Sequence, residues 1–148
     1  MTDFSIKFIG YDRDDRTLAS GELRFGSDVE YFRSPLGFWG HYDYERNWKL
    51  ALERLLDGAT FSCLATCVSE PGTSNFVEVW TLYREGDDVH IQDALIFLDE
   101  GPGEFDPNSP WDFVDPVRTV ADEDGQIAEW HVRLDDIREF LESEKALR

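Results

Sequence analysis

The chain reads as an α+β domain, a mostly antiparallel sheet with two amphipathic helices packed on one face. Three observations lead there. Short apolar runs with period-two alternation recur along the chain, joined by connections too short for parallel crossovers. The period switches twice, over 43–56 and again from 134, to that of a helix with one apolar stripe. With 148 residues, 41% hydrophobic and 14% aromatic, the composition suits a single domain spanning 1–148 rather than a disordered acidic chain.

Phe4, Ile6 and Phe8 alternate with Ser5, Lys7 and Ile9, the pattern of a half-buried strand. Asp12 to Arg16 is a polar turn, and Leu23–Phe25 and Val29–Phe32 form short strands around Gly26-Ser27. Tyr44, Trp48, Ala51, Leu52, Leu55 and Leu56 line one helical face, with Asp43 as the N-cap and Gly58 as the stop. Three strands follow. They run over Phe61–Val68, bounded by Pro71-Gly72, then Asn75–Arg84, ending at Glu85-Gly86-Asp87, then Val89–Leu98. Four prolines between Asp99 and Pro116 rule out a helix or central strand, leaving a loop pinned by Phe105, Trp111 and Phe113. Asp124-Gly125 predicts a hairpin between Val117–Ala121 and Gln126–Val132. Leu134, Ile137, Phe140, Leu141 and Leu147 space a closing helix capped near Asp135.

Charge is the strongest compositional signal. Between Glu85 and Asp124 stand thirteen acidic residues and one Arg, a local net charge of −12 out of −18 for the chain. Apolar residues run through the same stretch, so the charge belongs to a folded surface. Such a surface steers a basic partner into contact and repels phosphate, which excludes DNA and RNA as direct ligands. Met1 to Gly10 lacks the apolar core of a signal peptide, and no run is long enough to span a membrane. Cys63 and Cys67 lie four residues apart on a strand, roughly 13 Å, too far for a disulfide. Buried, reduced thiols fit a reducing compartment, and the expected location is the cytoplasm.

Motifs for catalysis are missing. His41, His90 and His131 fall in separate elements without metal-ligand spacing, and no serine-nucleophile elbow occurs. Gly101-Pro102-Gly103-Glu104 lacks the following helix that a phosphate loop needs, and acidic residues surround it. Asp106, Asn108 and Asp112 fail the calcium-loop pattern, since Trp111 stands in place of its glycine. No cofactor or metal is expected. Glu78 and Asp93 are different, because each shares a strand face with apolar side chains. A carboxylate so placed has three readings: a general acid or base with a raised pKa, a structural or exposed residue, or a partner contact. In the last, Glu78 beside Phe76 and Trp80 has the make-up of an interface hot spot.

The run from Pro35 to Leu56 has a distinctive aromatic pattern, with Phe38, Trp39, Tyr42, Tyr44 and Trp48. Phe97-Leu98-Asp99-Glu100, the loop from Phe105 to Phe113, and the strand from Gly125 ending in Ala128-Glu129-Trp130 accompany it. Together, from Phe25 to Phe140, they resemble the immunity proteins of contact-dependent growth inhibition and other polymorphic toxin systems. The resemblance implies a non-enzymatic protein that binds the C-terminal domain of one cognate toxin, a basic nuclease in many members. It would block the active site or substrate groove. The family's binding residues vary, so the resemblance transfers none to this chain, and Trp39, Trp48 and Trp130 read as core.

From charge and aromatic content, the expected partner surface is the acidic loop. Asp99, Glu100, Glu104, Asp106 and Asp112 supply charge, and Phe105 and Trp111 are candidate anchors. Glu78 and its sheet face form the second candidate. Two other readings stand beside this one: an acidic adaptor or regulatory module, and a small hydrolase using Glu78 or Asp93.

Overall fold

The computed structural model describes residues 3–70 and 72–146. Pro71 of the expected turn and Leu147 of the expected closing helix lie outside the described residues. The α+β class holds, with every strand pairing antiparallel.

The one expected sheet is divided into two main sheets and a separate two-stranded hairpin. β1 (Phe4–Tyr11), β2 (Leu18–Phe25) and β3 (Asp28–Pro35) form a three-stranded meander. α1 (His41–Leu56) leaves that sheet, and β4 (Phe61–Cys67), β5 (Phe76–Glu85) and β6 (Asp88–Phe97) build a second sheet completed by β9 (Trp130–Arg133) in the order β4-β5-β6-β9. α2 (Leu134–Ala146) closes the chain. Gly26 and Gly86 each open a tight turn at φ +62°, a left-handed conformation that glycine adopts without a Cβ penalty.

A single core joins the layers. Phe4, Ile6, Leu23 and Phe25 of the meander meet Tyr44, Trp48, Leu52 and Leu55 of α1, the β4–β6 interior, and Ile137, Phe140 and Leu141 of α2. Phe25 stacks on Trp130 at 5.2 Å and lies 5.8 Å from Trp80, so the end of the meander rests on one face of the second sheet. Trp39 and Trp48 are core, and Trp130 is half-buried against it.

α1 also shields the outer edge of β4, which would otherwise expose unpaired peptide groups. Asn47 Oδ1 accepts from the Ala65 N–H at 2.8 Å, and Trp48 Nε1–H donates to the Ala65 carbonyl at 2.8 Å. The Tyr44 hydroxyl accepts from the Val68 N–H at 3.1 Å and donates to the Pro35 carbonyl at 2.8 Å. Arg54 donates to the Phe61 carbonyl. Polar positions of the helix stripe thus close a sheet edge.

Local departures have simple causes. α1 starts earlier than expected, so Asp43 is not the N-cap. Gly40 occupies that place, and the Asp43 carboxylate reaches back to accept from its N–H at 2.9 Å. Likewise Asp136, not Asp135, accepts from the Arg133 N–H before α2, while Asp135 pairs with Arg138. The strand expected over Val117–Ala121 shrinks to β7 (Ala121–Asp122), and the one expected over Gln126–Val132 divides into β8 (Gly125–Gln126) and β9, with the hairpin turning at Glu123-Asp124. Val117 and Val120 are exposed, so that run has no core face to bury.

Candidate functional site

The register of β5 against β6 decides which residues share a face. Residues opposite each other in an antiparallel pair project to the same side. Phe76, Glu78, Trp80 and Leu82 therefore lie with Phe97, Leu95, Asp93 and Ile91 on one face, and Val77, Val79, Thr81 and Tyr83 with Ile96, Ala94, Gln92 and His90 on the other.

On the first face, Leu82, Ile91 and Trp80 are covered by the core, but the sheet outruns the meander. Phe76, Leu95 and Phe97 stay 40–49% exposed, with Glu78 and Asp93 open among them. A cleft of about 500 Å³ separates this end from the meander, where Tyr31, Phe32 and Arg33 form the far wall and Thr66, Glu78, Trp80 and Asp93 the near one. Asp93's pKa is raised by loss of surrounding water, and further by the charges of Glu78 and Glu30. The half-buried Cys67 thiol is pushed up to about 11 by desolvation and Glu78, so it is not a reactive thiolate. Desolvation pushes the buried Cys63 up as well. Both cysteines are free, as the strand spacing required.

The other face is roofed by the proline-rich loop. Val114 is buried, Phe105 packs edge-on to Phe113 at 5.2 Å, and the Tyr83 hydroxyl donates to the Asp115 carbonyl at 2.9 Å. Within the loop the chain folds tightly on itself at Gly101, where a Cβ would overlap the Phe113 ring. Trp111 lies under the Arg54 guanidinium, 4.6 Å from its ring centre, a cation–π contact that ties the loop to α1. Phe105 and Trp111 are accordingly half-buried pins of the loop. Between loop and sheet runs an open groove of about 720 Å³ floored by Ala94 and Ile96, with Glu100, Asp112 and Asp115 along it.

The expected site residues thus separate. Glu100 and Asp112 share the groove, while Asp99 is exposed on the turn Leu98–Glu100. Glu104 and Asp106 are exposed where the loop crosses toward α1, outside the groove lining, with Asp106 accepting from the Asn108 N–H. Glu78 faces the cleft on the opposite side of the sheet. Sequence reasoning missed Leu95 and Phe97, which stand in an unbroken apolar run from Ala94 to Leu98 that does not show which face is left open, and Tyr31 and Arg33, which only the packing of two sheets brings near.

A third group gathers two histidines that the sequence keeps apart. His90 and His131 sit opposite each other on β6 and β9, rings 5.5 Å apart. Glu129 and Glu85 flank His90 at 3.5 and 3.7 Å, and Asp88 bonds His131 at 2.7 Å and Arg133 at 2.8 Å. Among the described residues no cluster has a metal-binding arrangement. His41 lies elsewhere, edge-on to Phe8 at 4.9 Å.

Glu129 is the structural hub of this group, pairing with Arg118 and accepting from Gln92 Nε2 at 2.8 Å. The Arg118 hydrogen bond, with help from Gln92, holds its pKa below the ordinary glutamate range. A depressed carboxylate stabilises the fold above its unfolded pKa, about 4.3, and that contribution is lost as pH falls through the lower folded value. Glu129→Gln should therefore unfold more easily than the parent in urea at pH 7, with the gap closing toward pH 3. An unchanged gap across that range would assign the difference to packing instead.

The chain matches the CdiI N-terminal domain family over residues 34–140. It is 37% identical over 115 residues to the immunity protein CdiI of Enterobacter cloacae, covering 77% of this chain and 78% of that protein. It is also similar to a chain of the solved CdiA-CT/CdiI toxin and immunity complex from Enterobacter cloacae, with 32% identity, a TM-score of 0.84, and 97% and 99% of the two chains covered. That relative is an immunity protein rather than an enzyme. By family match, sequence identity and shared fold together, the chain belongs to the CdiI N-terminal domain family.

Proposed function

We propose that this protein binds the C-terminal domain of one cognate toxin and neutralises it by occlusion. The observation that carries this reading is its likeness, over most of both chains, to an immunity protein and to a toxin–immunity complex. The electrostatics supports a finer statement. A net charge of −18, with −12 between Glu85 and Asp124, complements a basic toxin domain, and basic domains that engage phosphate backbones are typical of nucleases. The acids would then cover the toxin's active site or substrate groove, acting in the cytoplasm of the target cell. Among the described residues no helix is long and apolar enough to cross a membrane. The hydrolase alternative is weakened by the likeness to an immunity protein and not by the carboxylates themselves, since a raised-pKa Asp93 beside Glu78 is a pairing that acid–base chemistry also uses.

The test is expression of the toxin domain encoded beside this gene, with and without this protein. Protection and a stoichiometric complex are expected. Association should slow as salt rises from low to about 0.15 M, where attraction is screened beyond about 8 Å. An on-rate indifferent to salt would remove the basic-partner argument. Absence of any complex would remove the function itself.

A further inference from the structure

Beyond Ile91, β6 has no strand paired on its side away from β5, the edge that lies between the two acidic surfaces. Leu98 N–H donates to the Asn75 carbonyl at 2.8 Å, which sets the phase of the β5–β6 ladder: even-numbered residues of β6 bond β5. Odd-numbered ones turn the other way. There the Leu134 N–H donates to the Asp87 carbonyl at 2.8 Å, and β9 continues opposite β6 only as far as Trp130 against Ile91. Asp93, Leu95 and Phe97 consequently direct their N–H and C=O groups outward. Among the described residues none of the hydrogen bonds beyond the β5–β6 ladder involves those backbone groups.

From this edge we infer that the protein takes up an extended, basic segment of its toxin domain as an added strand beside β6. The inference rests on the toxin-binding reading above and names where and how the partner sits. A strand added there places alternate side chains on the two faces of the sheet. On one side they meet exposed Leu95 and Phe97 with Glu78 and Asp93, and on the other the groove over Ala94 and Ile96 with Glu100 and Asp112. The two acidic surfaces, apart on the fold, become the two walls of one docking line. Their charge selects the occupant. An edge bearing Asp93 repels a second acidic copy of itself, the usual protection of a bare edge strand, and attracts lysine- or arginine-bearing backbone.

The experiment is residue-resolved amide exchange on the full chain, free and bound to the toxin C-terminal domain encoded beside its gene. The amides of Asp93, Leu95 and Phe97 should exchange fast in the free protein and at least about tenfold more slowly in the complex, as closed hydrogen bonds require. A stoichiometric complex that leaves these three amides fast overturns the strand-addition inference while the toxin-binding function stands. Failure of the wild-type chain to form any complex overturns both. Slow exchange at the three positions in the free protein, accompanied by a dimer in sedimentation, would assign the edge to a second copy and overturn the inference too. A matched pair of variants gives an independent reading. Leu95→Pro removes an outward N–H without touching the β5 ladder, as edge positions allow. It should weaken binding about tenfold, the worth of roughly one lost hydrogen bond with its steric block, and clearly more than Leu95→Ala. Equal binding by a folded Leu95→Pro would also overturn the inference.

Discussion

Trp48→Ala should lower the free energy of unfolding by about 3–5 kcal/mol, the range found for emptying a large buried aromatic site. Trp48 is 3% exposed and fills the junction of three layers. Its ring lies 4.8 Å from Phe8 and 5.7 Å from Phe32, both on the meander, while its indole N–H holds the Ala65 carbonyl of the second sheet. Truncation removes the contact on one side and leaves a buried carbonyl unpaired on the other, so the cavity and hydrogen-bond losses add. Urea denaturation followed by circular dichroism measures it, as a lower midpoint with an unchanged slope. Trp48→Phe separates the causes, since it keeps most of the apolar area and loses the hydrogen bond. A loss below about 1 kcal/mol for the alanine variant would mean that the layers close over the gap, contrary to the dense interior expected of a well-packed core.

Neutralising acids should have the largest effect on function with the least on folding. The triple variant Glu100→Gln, Glu104→Gln, Asp106→Asn removes exposed charges from the loop. It should remain folded, because none of the three has an ion-pair partner among the described residues. Its association with the toxin should slow several-fold, up to about tenfold at low salt, with little change in dissociation, as rim charges do. Glu78→Gln with Asp93→Asn is the informative comparison. Those carboxylates repel each other in the cleft, so the double change should leave stability equal or slightly higher, yet weaken the complex mainly through faster dissociation if the pair is desolvated there. Stopped-flow association and cell protection assays read both. If the loop variant protects as well as the parent and binds at an unchanged rate, the loop is not a contact surface, and the cleft remains.

What the residues alone determined is whatever local chemistry decides. Period-two runs placed β4, β5 and β6 within one residue at each end, the stripe from Tyr44 to Leu55 placed α1, and glycines at φ +62° placed the tight turns. The aromatic pattern was enough to point to the family that comparison confirms. Pairing was another matter, because alternation shows that a strand has two faces but not what lies against either. Val117–Ala121 is rich in the β-branched residues that strands favour, yet its two valines fall on opposite faces and the two-residue hairpin left to it is solvent-exposed. The split into two sheets arises because α1 takes the outer edge of β4 with its own side chains, closing the place where the meander would have joined. The meeting of His90 with His131, and the bare edge from Asp93 to Phe97, both depend on one length: β9 is four residues long and β6 ten. Hydrogen-bond register over long sequence separations, which no local pattern encodes, decided where this protein keeps an open edge.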